Sequence, residues 1–418
     1  MKKLFNYASV LWASIIILGL GSCLSDNDFN PIDLYIGEGI SISLRMNESV
    51  FETRNVGGGF ASGFPAAFNT GHLYLVTPDG VIMEHFIIVN DGTGTLNANR
   101  EVTNDRINRN ELSHPQGVTI ANLPPNLRGG RAVIVGNTSI ANNAININNI
   151  KATEIEIRGQ HNIGNANLFG YETLTRRIGE YAANGNRIYE THVLLSPTIA
   201  RLQISNIVGM GNIESFEVEG VFIDNYYRYA QIDGTPVTAS LRNNIAAGRA
   251  FGRDTSGYPF AFHTITFDWY RDHIASPLVW GSTTAPIIIN NNNFGNFPMV
   301  RPARTGLSGD LFWEYNLFAG VETTAPRIVF RLRNIVRTDG VPVVGTRFVT
   351  FCHFVWYNPN DPTHGTNFPG ISAGNIYNIP LNGLVFNEHC LTLTPEVPPV
   401  PSIATLSTRA IPIEIISN

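Results

Sequence analysis

Residues 40–59 read ISISLRMNESVFETRNVGGG, and the first five pose the question on which the fold turns. Ile40, Ile42 and Leu44 alternate with Ser41, Ser43 and Arg45, the period-two pattern of a strand with one buried face. A loop-like stretch containing Arg54 and then Gly57-Gly58-Gly59 follows. Such a strand is either a permanent member of a sheet or a temporary one meant to be cut away. The other end of the chain carries a matching run, AIPIEII, in which Ile411, Ile413 and Ile415 share one face and Pro412, Glu414 and Ile416 the other. Pro412 has no N–H for a ladder, so it suits an edge or a position bonded on limited sides. Either run could fill one slot in a sheet. Three buried aliphatic side chains contribute about 1.5–3 kcal/mol each, and roughly five backbone hydrogen bonds add about 0.5–1.5 kcal/mol each. A sheet lacking that strand exposes an apolar groove and an unpaired edge, which recruits another strand. Residues 391–409 could span on the order of 55 Å if extended, enough to reach a neighbouring molecule.

The 418 residues are more than one core usually serves and predict two domains. With 43% hydrophobic and 15% charged residues the chain is globular, and its wealth of Asn, Gly, Thr and Ser points to an extracellular β protein. A net charge of −5 gives no electrostatic case for nucleic acid. Residues 1–22 are read as a targeting segment: Lys2 and Lys3 precede an apolar stretch from Ala8 to Leu20, too short for a comfortable membrane span. It ends in Leu20-Gly21-Ser22-Cys23, which resembles a bacterial lipobox. Small residues there admit the signal peptidase, and the Cys23 thiol accepts the lipid; several acyl chains hold a precursor stably to the outer membrane. A plain secretory signal with an incidental cysteine is the alternative. The polar, acidic Leu24–Asp28 that follows resembles the tract that routes some lipoproteins to the cell surface.

Short apolar or alternating runs separated by Gly, Asn, Pro and Asp recur along the chain and predict strands. They include residues 73–76, 81–89, 131–137, 155–158, 200–207 and 216–223, then 264–270, 327–335, 347–357 and 376–386. Pro78-Asp79-Gly80 predicts a hairpin turn, since proline presets φ and glycine accepts φ > 0. The best helical signal is Tyr171–Gly185, with Leu174, Ile178 and Tyr181 on one face and Gly185 as a closing residue. The expected class is therefore mostly β, built as sandwiches with a Greek-key flavour and few short helices. The domain boundary is expected near Met210-Gly211-Asn212. Cys352 and Cys390 could form a disulfide or remain buried thiols, and no cysteine or histidine spacing suggests a metal or a cofactor.

The lipobox Cys23 and the early strand followed by arginine resemble the plan of the fimbrillin family, the type V pilins of Gram-negative Bacteroidales. Gly130–Asn137 (GRAVIVGN) is similar to a family strand ending in Ala/Gly-Asn, and Leu195–Ile207 (LSPTIARLQISNI) to a strand carrying an Ala-Arg pair. Pro369–Leu381 (PGISAGNIYNIPL) is similar to a late strand in which Gly or Asn precedes Tyr. The resemblance implies two tandem transthyretin-like sandwiches and a division into a lipoprotein signal (1–22), a tether with the first strand and processed segment (23–54), an N-terminal domain (55–210), a C-terminal domain (211–392), and a Pro-rich linker with a last strand (393–418). It further implies that an arginine-specific protease cuts after the first strand, at Arg54-Asn55 or as second choice Arg45-Met46. The displaced strand would then be Ile40, Ile42 and Leu44, and the donor strand Ile411, Ile413 and Ile415 of another pilin subunit. The partners implied are that protease, other pilins and, before processing, the outer membrane; the destination is a surface fimbria serving adhesion and colonisation.

No catalytic constellation stands out, and the chain is not expected to be an enzyme. Phe267–His273 groups aromatics, carboxylates and a histidine and could stack a sugar, which is the basis of an alternative reading as a monomeric surface glycan-binding lipoprotein. Gly306–Asp310 lacks the strand-then-helix context of a nucleophile elbow, and Arg249–Asp254 lacks phosphate-loop spacing.

Overall fold

A computed structural model describes residues 39–48, 68–140, 145–160, 166–246 (apart from 183, 205, 206 and 244), 270–271, 287–290, 313–356, 370–379, 384–397 and 410–416. These residues are mostly strand. Two short helices, Arg109–Leu112 and Ile147–Lys151, occur among them. The expected mostly-β, sheet-on-sheet architecture is what the chain adopts.

The opening stretch forms β1 (Ile40–Glu48), longer than its first five residues imply. Ile40, Ile42, Leu44 and a fourth apolar residue, Met46, are all fully buried. Next come β2 (Gly71–Val76), β3 (Ile82–Val89), β4 (Arg106–Asn108), β5 (Val118–Leu123), β6 (Arg131–Gly136) and β7 (Glu154–Glu156). They are followed by β8 (Leu168–Thr173), β9 (Thr175–Tyr181) and β10 (Arg187–Pro197). One layer runs β4-β3-β2-β6-β8 and the other β9-β10-β1-β5. The last pairs of β10, Ser196 with Phe169 and Pro197 with Leu168, tie it to β8 and join the layers. Leu73, Leu75 and Ile134 of the first layer and Ile42, Leu44 and Val193 of the second belong to one buried cluster. The reverse face of the first layer is covered too: Tyr74, Val76, Val133 and Val135 cluster with Ile147 and Ile150 of the second helix.

The Pro78-Asp79-Gly80 turn joins β2 and β3 as expected, with Gly80 at φ 87° and Thr77 N donating to Val81 O at 2.9 Å. The expected helix over Tyr171–Gly185 is instead a strand, β8 passing into β9. Every β8 residue from Leu168 to Thr173 has a partner in β6, and that ladder outweighs an isolated helical stripe. Of the supposed apolar face, Leu174 is buried but Ile178 is 90% exposed. Gly185, at φ 81°, closes the turn into β10 rather than a helix.

After Thr198 the chain changes partners. β11 (Ile199–Ile204) lies between the strands Trp313–Phe318 and Ile376–Ile379, in a sheet that continues through Ala410–Ile416 to His353–Trp356. A second sheet centres on Ile213–Asp224 and Arg327–Arg337, with Arg347–Phe351 on the far side of the latter. The residues of the expected boundary, Met210–Asn212, lie between β11 and the strand Ile213–Asp224. ARLQISNI supplies the unit's first strand, and Gly211, at φ 66°, forms a turn within it. No linker-like residues separate β10 from β11, so the change of sheet leaves little trace in composition.

The motif residues have structural roles. Asn137 ends β6 in the left-handed region (φ 61°), where its Oδ1 accepts from Asn69 N at 2.8 Å and its Nδ2 donates to Ala166 O at 2.9 Å. Arg201 of the Ala-Arg pair is 2% exposed, and its Nε donates to Asn316 Oδ1 at 3.5 Å. Tyr377 is buried, and its hydroxyl accepts from Ser372 N at 2.7 Å. Cys352 and Cys390 are each partly buried. Cys352 is not mid-strand but the junction at which the chain leaves one sheet (Arg347–Phe351) for the other (His353–Trp356), while Cys390 ends a tight turn at Glu388–Cys390.

Candidate functional site

Two strands at opposite ends of the chain occupy equivalent settings. β1 runs parallel to β10, from Ile40 beside Arg187 to Glu48 beside Leu195, and antiparallel to β5, from Ile40 beside Leu123 to Leu44 beside Val118. The tail strand, Ala410–Ile416, runs parallel to His353–Trp356 and antiparallel to Ile376–Ile379. Each therefore has one parallel and one antiparallel neighbour. Being laddered on both sides, neither is a mere edge strand. The parallel pairing of β1 with β10 needs no tight turn, so β1 is held to the rest of the unit covalently only through the chain that follows Glu48.

The β1 slot is built for an alternating strand. Its floor takes Ile40, Ile42, Leu44 and Met46; burying four such side chains contributes roughly 6–12 kcal/mol. Near the middle the opposing loop closes tightly. Gly117 sits at φ 63°, and a Cβ there would overlap the Leu44 carbonyl oxygen. Beside it, exposed Arg45 donates from Nη1 to Pro115 O at 3.3 Å. Arg45-Met46 is thus a bond within β1, laddered to His192 and Val193 of β10, whereas Arg54-Asn55 lies outside the described residues, as do Cys23 and residues 1–22.

At the slot's N-terminal end the register shifts. Between the pairs Ile40–Leu123 and Ile42–Ile120, two β5 residues, Ala121 and Asn122, face the single residue Ser41. This is a β-bulge, with Asn122 at φ 58° in the left-handed region that asparagine tolerates. Asn122 Oδ1 accepts from Asn184 Nδ2 at 2.8 Å and Asn186 Nδ2 at 3.4 Å, so the turn before β10 fastens the bulge. Ser41 beneath it is fully buried, and its Oγ has no hydrogen-bond partner. The alternation in Ile40–Leu44 was visible in sequence; the bulge, the Gly117 clamp and the Met46 plug were not.

A second cluster lies on the reverse face of the β2–β3 hairpin. His72 Nδ1 and His85 Nε2 are 3.0 Å apart, and Tyr74 stacks on His85 at 4.7 Å. Burial, and then the neighbouring His85, hold the His72 pKa below its ordinary value; burial also lowers that of His85, against the pull of Asp105. Burial pushes the Tyr74 phenol up to about 12. Among the described residues no group of three or more His, Cys, Asp or Glu side chains is arranged to hold a metal. Of the Phe267–His273 cluster only Tyr270–Arg271 are described, as a short strand; Gly306–Asp310 and Arg249–Asp254 lie outside the described residues.

No protein-family model and no curated protein sequence matches the chain. Among solved structures, it is similar to a candidate cell adhesion protein of Bacteroides eggerthii (14% identity, 91% of this chain and 96% of the other, TM-score 0.43). It is similar to another candidate cell adhesion protein, from Parabacteroides distasonis (10% identity, 91% and 96%, TM-score 0.47). It is also similar to a fimbrilin of Porphyromonas gingivalis (12% identity, 82% and 91%, TM-score 0.41). The solved structures it is similar to thus include fimbrial and candidate cell adhesion proteins.

Proposed function

We propose that the chain is a structural, non-enzymatic pilin subunit of surface fimbriae serving adhesion and colonisation. It is exported as a lipoprotein through Cys23, cut after Arg54, and joined to other copies or accessory pilins by strand exchange. The observation that carries this reading is β1: a strand with four fully buried side chains that belongs to the sheet by packing but to the chain only through its own C-terminal connection. Cutting that connection leaves the β2–β11 order of the chain intact and turns the strand into a removable plug. The tail strand, with the same pattern of one parallel and one antiparallel neighbour, is the natural replacement. The pairing of Arg45 with His192 inside β1 favours Arg54 as the scissile residue, since proteases need an extended, unpaired substrate segment.

The test is to treat the purified full chain with an arginine-specific protease and run it unboiled on a denaturing gel. The expected outcome is loss of the N-terminal segment, a new N-terminus at Asn55, and an SDS-resistant ladder that disappears when Ala410–Asn418 are deleted. A single trimmed band that never polymerises would instead support the monomeric glycan-binding reading.

A further inference from the structure

We infer that the tail strand enters the β1 slot of a second copy in one register, set by the bulge at Asn122: Pro412 takes the place of Ser41. This rests on the strand-exchange reading above and specifies it. Side-chain alternation allows three registers that keep Ile411, Ile413 and Ile415 on the inward face, with Pro412 at Gly39, Ser41 or Ser43. The middle one places Ile411, Ile413 and Ile415 on the floor positions of Ile40, Ile42 and Leu44.

Three observations select it. First, in its own sheet Pro412 pairs with Val355 on the parallel side, and the antiparallel pairs among the described residues run from Glu414 to Ile416. Ser41 likewise has a parallel partner, Ile188, and on the antiparallel side it faces the bulge. A residue without an N–H belongs where the ladder is interrupted. Second, Ser41 is fully buried with its hydroxyl unsatisfied, so a proline ring there removes an uncompensated polar group. Third, the other registers conflict with the slot. Pro412 at Ser43 would face Thr119 within the regular ladder. Pro412 at Gly39 would carry the Glu414 carboxylate into the dry Ser41 position, at high cost for an ion. In the selected register Glu414 replaces half-buried Ser43, beside Glu190, whose carboxylate is already held by Arg177 at 2.7 Å. Asn122 thereby becomes a specificity-determining residue: its bulge makes the slot accept a strand with proline at the second position.

The register is read by cysteine pairing, because cross-strand neighbours approach to within roughly 4.5–5.5 Å between Cβ atoms, close to disulfide reach. In full-length chains with Cys23, Cys352 and Cys390 replaced by alanine, an acceptor carrying Thr119→Cys is trimmed with the arginine-specific protease. It is then mixed with donors carrying Pro412→Cys, Glu414→Cys or Ile416→Cys under mild oxidation. The expected result is a disulfide-linked dimer chiefly with the Glu414→Cys donor, since that residue replaces Ser43 opposite Thr119. A ladder in which Pro412→Cys or Ile416→Cys links instead, or in which no donor links, overturns the register while leaving strand exchange standing. Folded chains that give neither ladder nor disulfide overturn strand exchange itself, and the register with it.

Discussion

Gly117 shows how a single residue governs the β1 slot. Its φ of 63° and the absence of a Cβ let the loop before β5 close over the Leu44 carbonyl. Gly117→Ala is expected to destabilise the chain by about 1–3 kcal/mol, read as a lower urea midpoint, through left-handed strain and the displaced strand together. The histidine pair yields a second expectation at this scale. Both His72 and His85 titrate below their ordinary value of 6.5 in the folded chain, so the unfolded chain binds more protons as pH falls through that value. Stability contributed by the neutral pair is therefore complete above pH 6.5 and declines below it. Thermal melts between pH 7.5 and 5 should fall with pH, and His72→Phe should flatten that dependence. Neither residue role was legible from composition. A glycine in a loop and two histidines thirteen positions apart acquire meaning only once strands are paired.

Among the elements, the strand runs were legible because half-buried sheets impose period two on their residues. LYLV, RAVIVG and the 327–335 run all lie within observed strands. The Pro-Asp-Gly turn was equally plain, since few sequences meet its backbone demands. The helix over Tyr171–Gly185 failed for a definite reason. A stripe at i, i+4 and i+7 can arise by chance, and Ile178, one of its three members, faces solvent. The sheet edge offered by β6 was the stronger partner. Likewise the 347–357 run reads as one long strand but divides at Cys352 because the two halves serve different sheets, which local pattern cannot encode.

Across the whole molecule, the two units are fastened by buried polar groups rather than by a linker. Asn167 is fully buried, and its Nδ2 donates to Thr198 Oγ1 at 2.9 Å and to Ile232 O at 2.6 Å. Asn316 Nδ2 reaches Gln160 O at 2.7 Å, and β7 pairs with Tyr229–Gln231 of the second unit. Asn167→Ala leaves the Ile232 carbonyl and the Thr198 hydroxyl without this donor. It is expected to cost about 2–4 kcal/mol and to separate one urea transition into two. Part of the asparagine richness noted in sequence serves these junctions.

The tail strand's own berth between residues 353–356 and 376–379 carries a thermodynamic consequence. A copy that gives away its last strand empties one groove as it fills another, so the apolar area withdrawn from water hardly changes at each link. What tips the balance is dilution. In the strand exchange proposed above, the tethered leader strand would rebind at a millimolar effective concentration; once severed it would drift into the surrounding volume, and assembly would run forward because the competitor had gone.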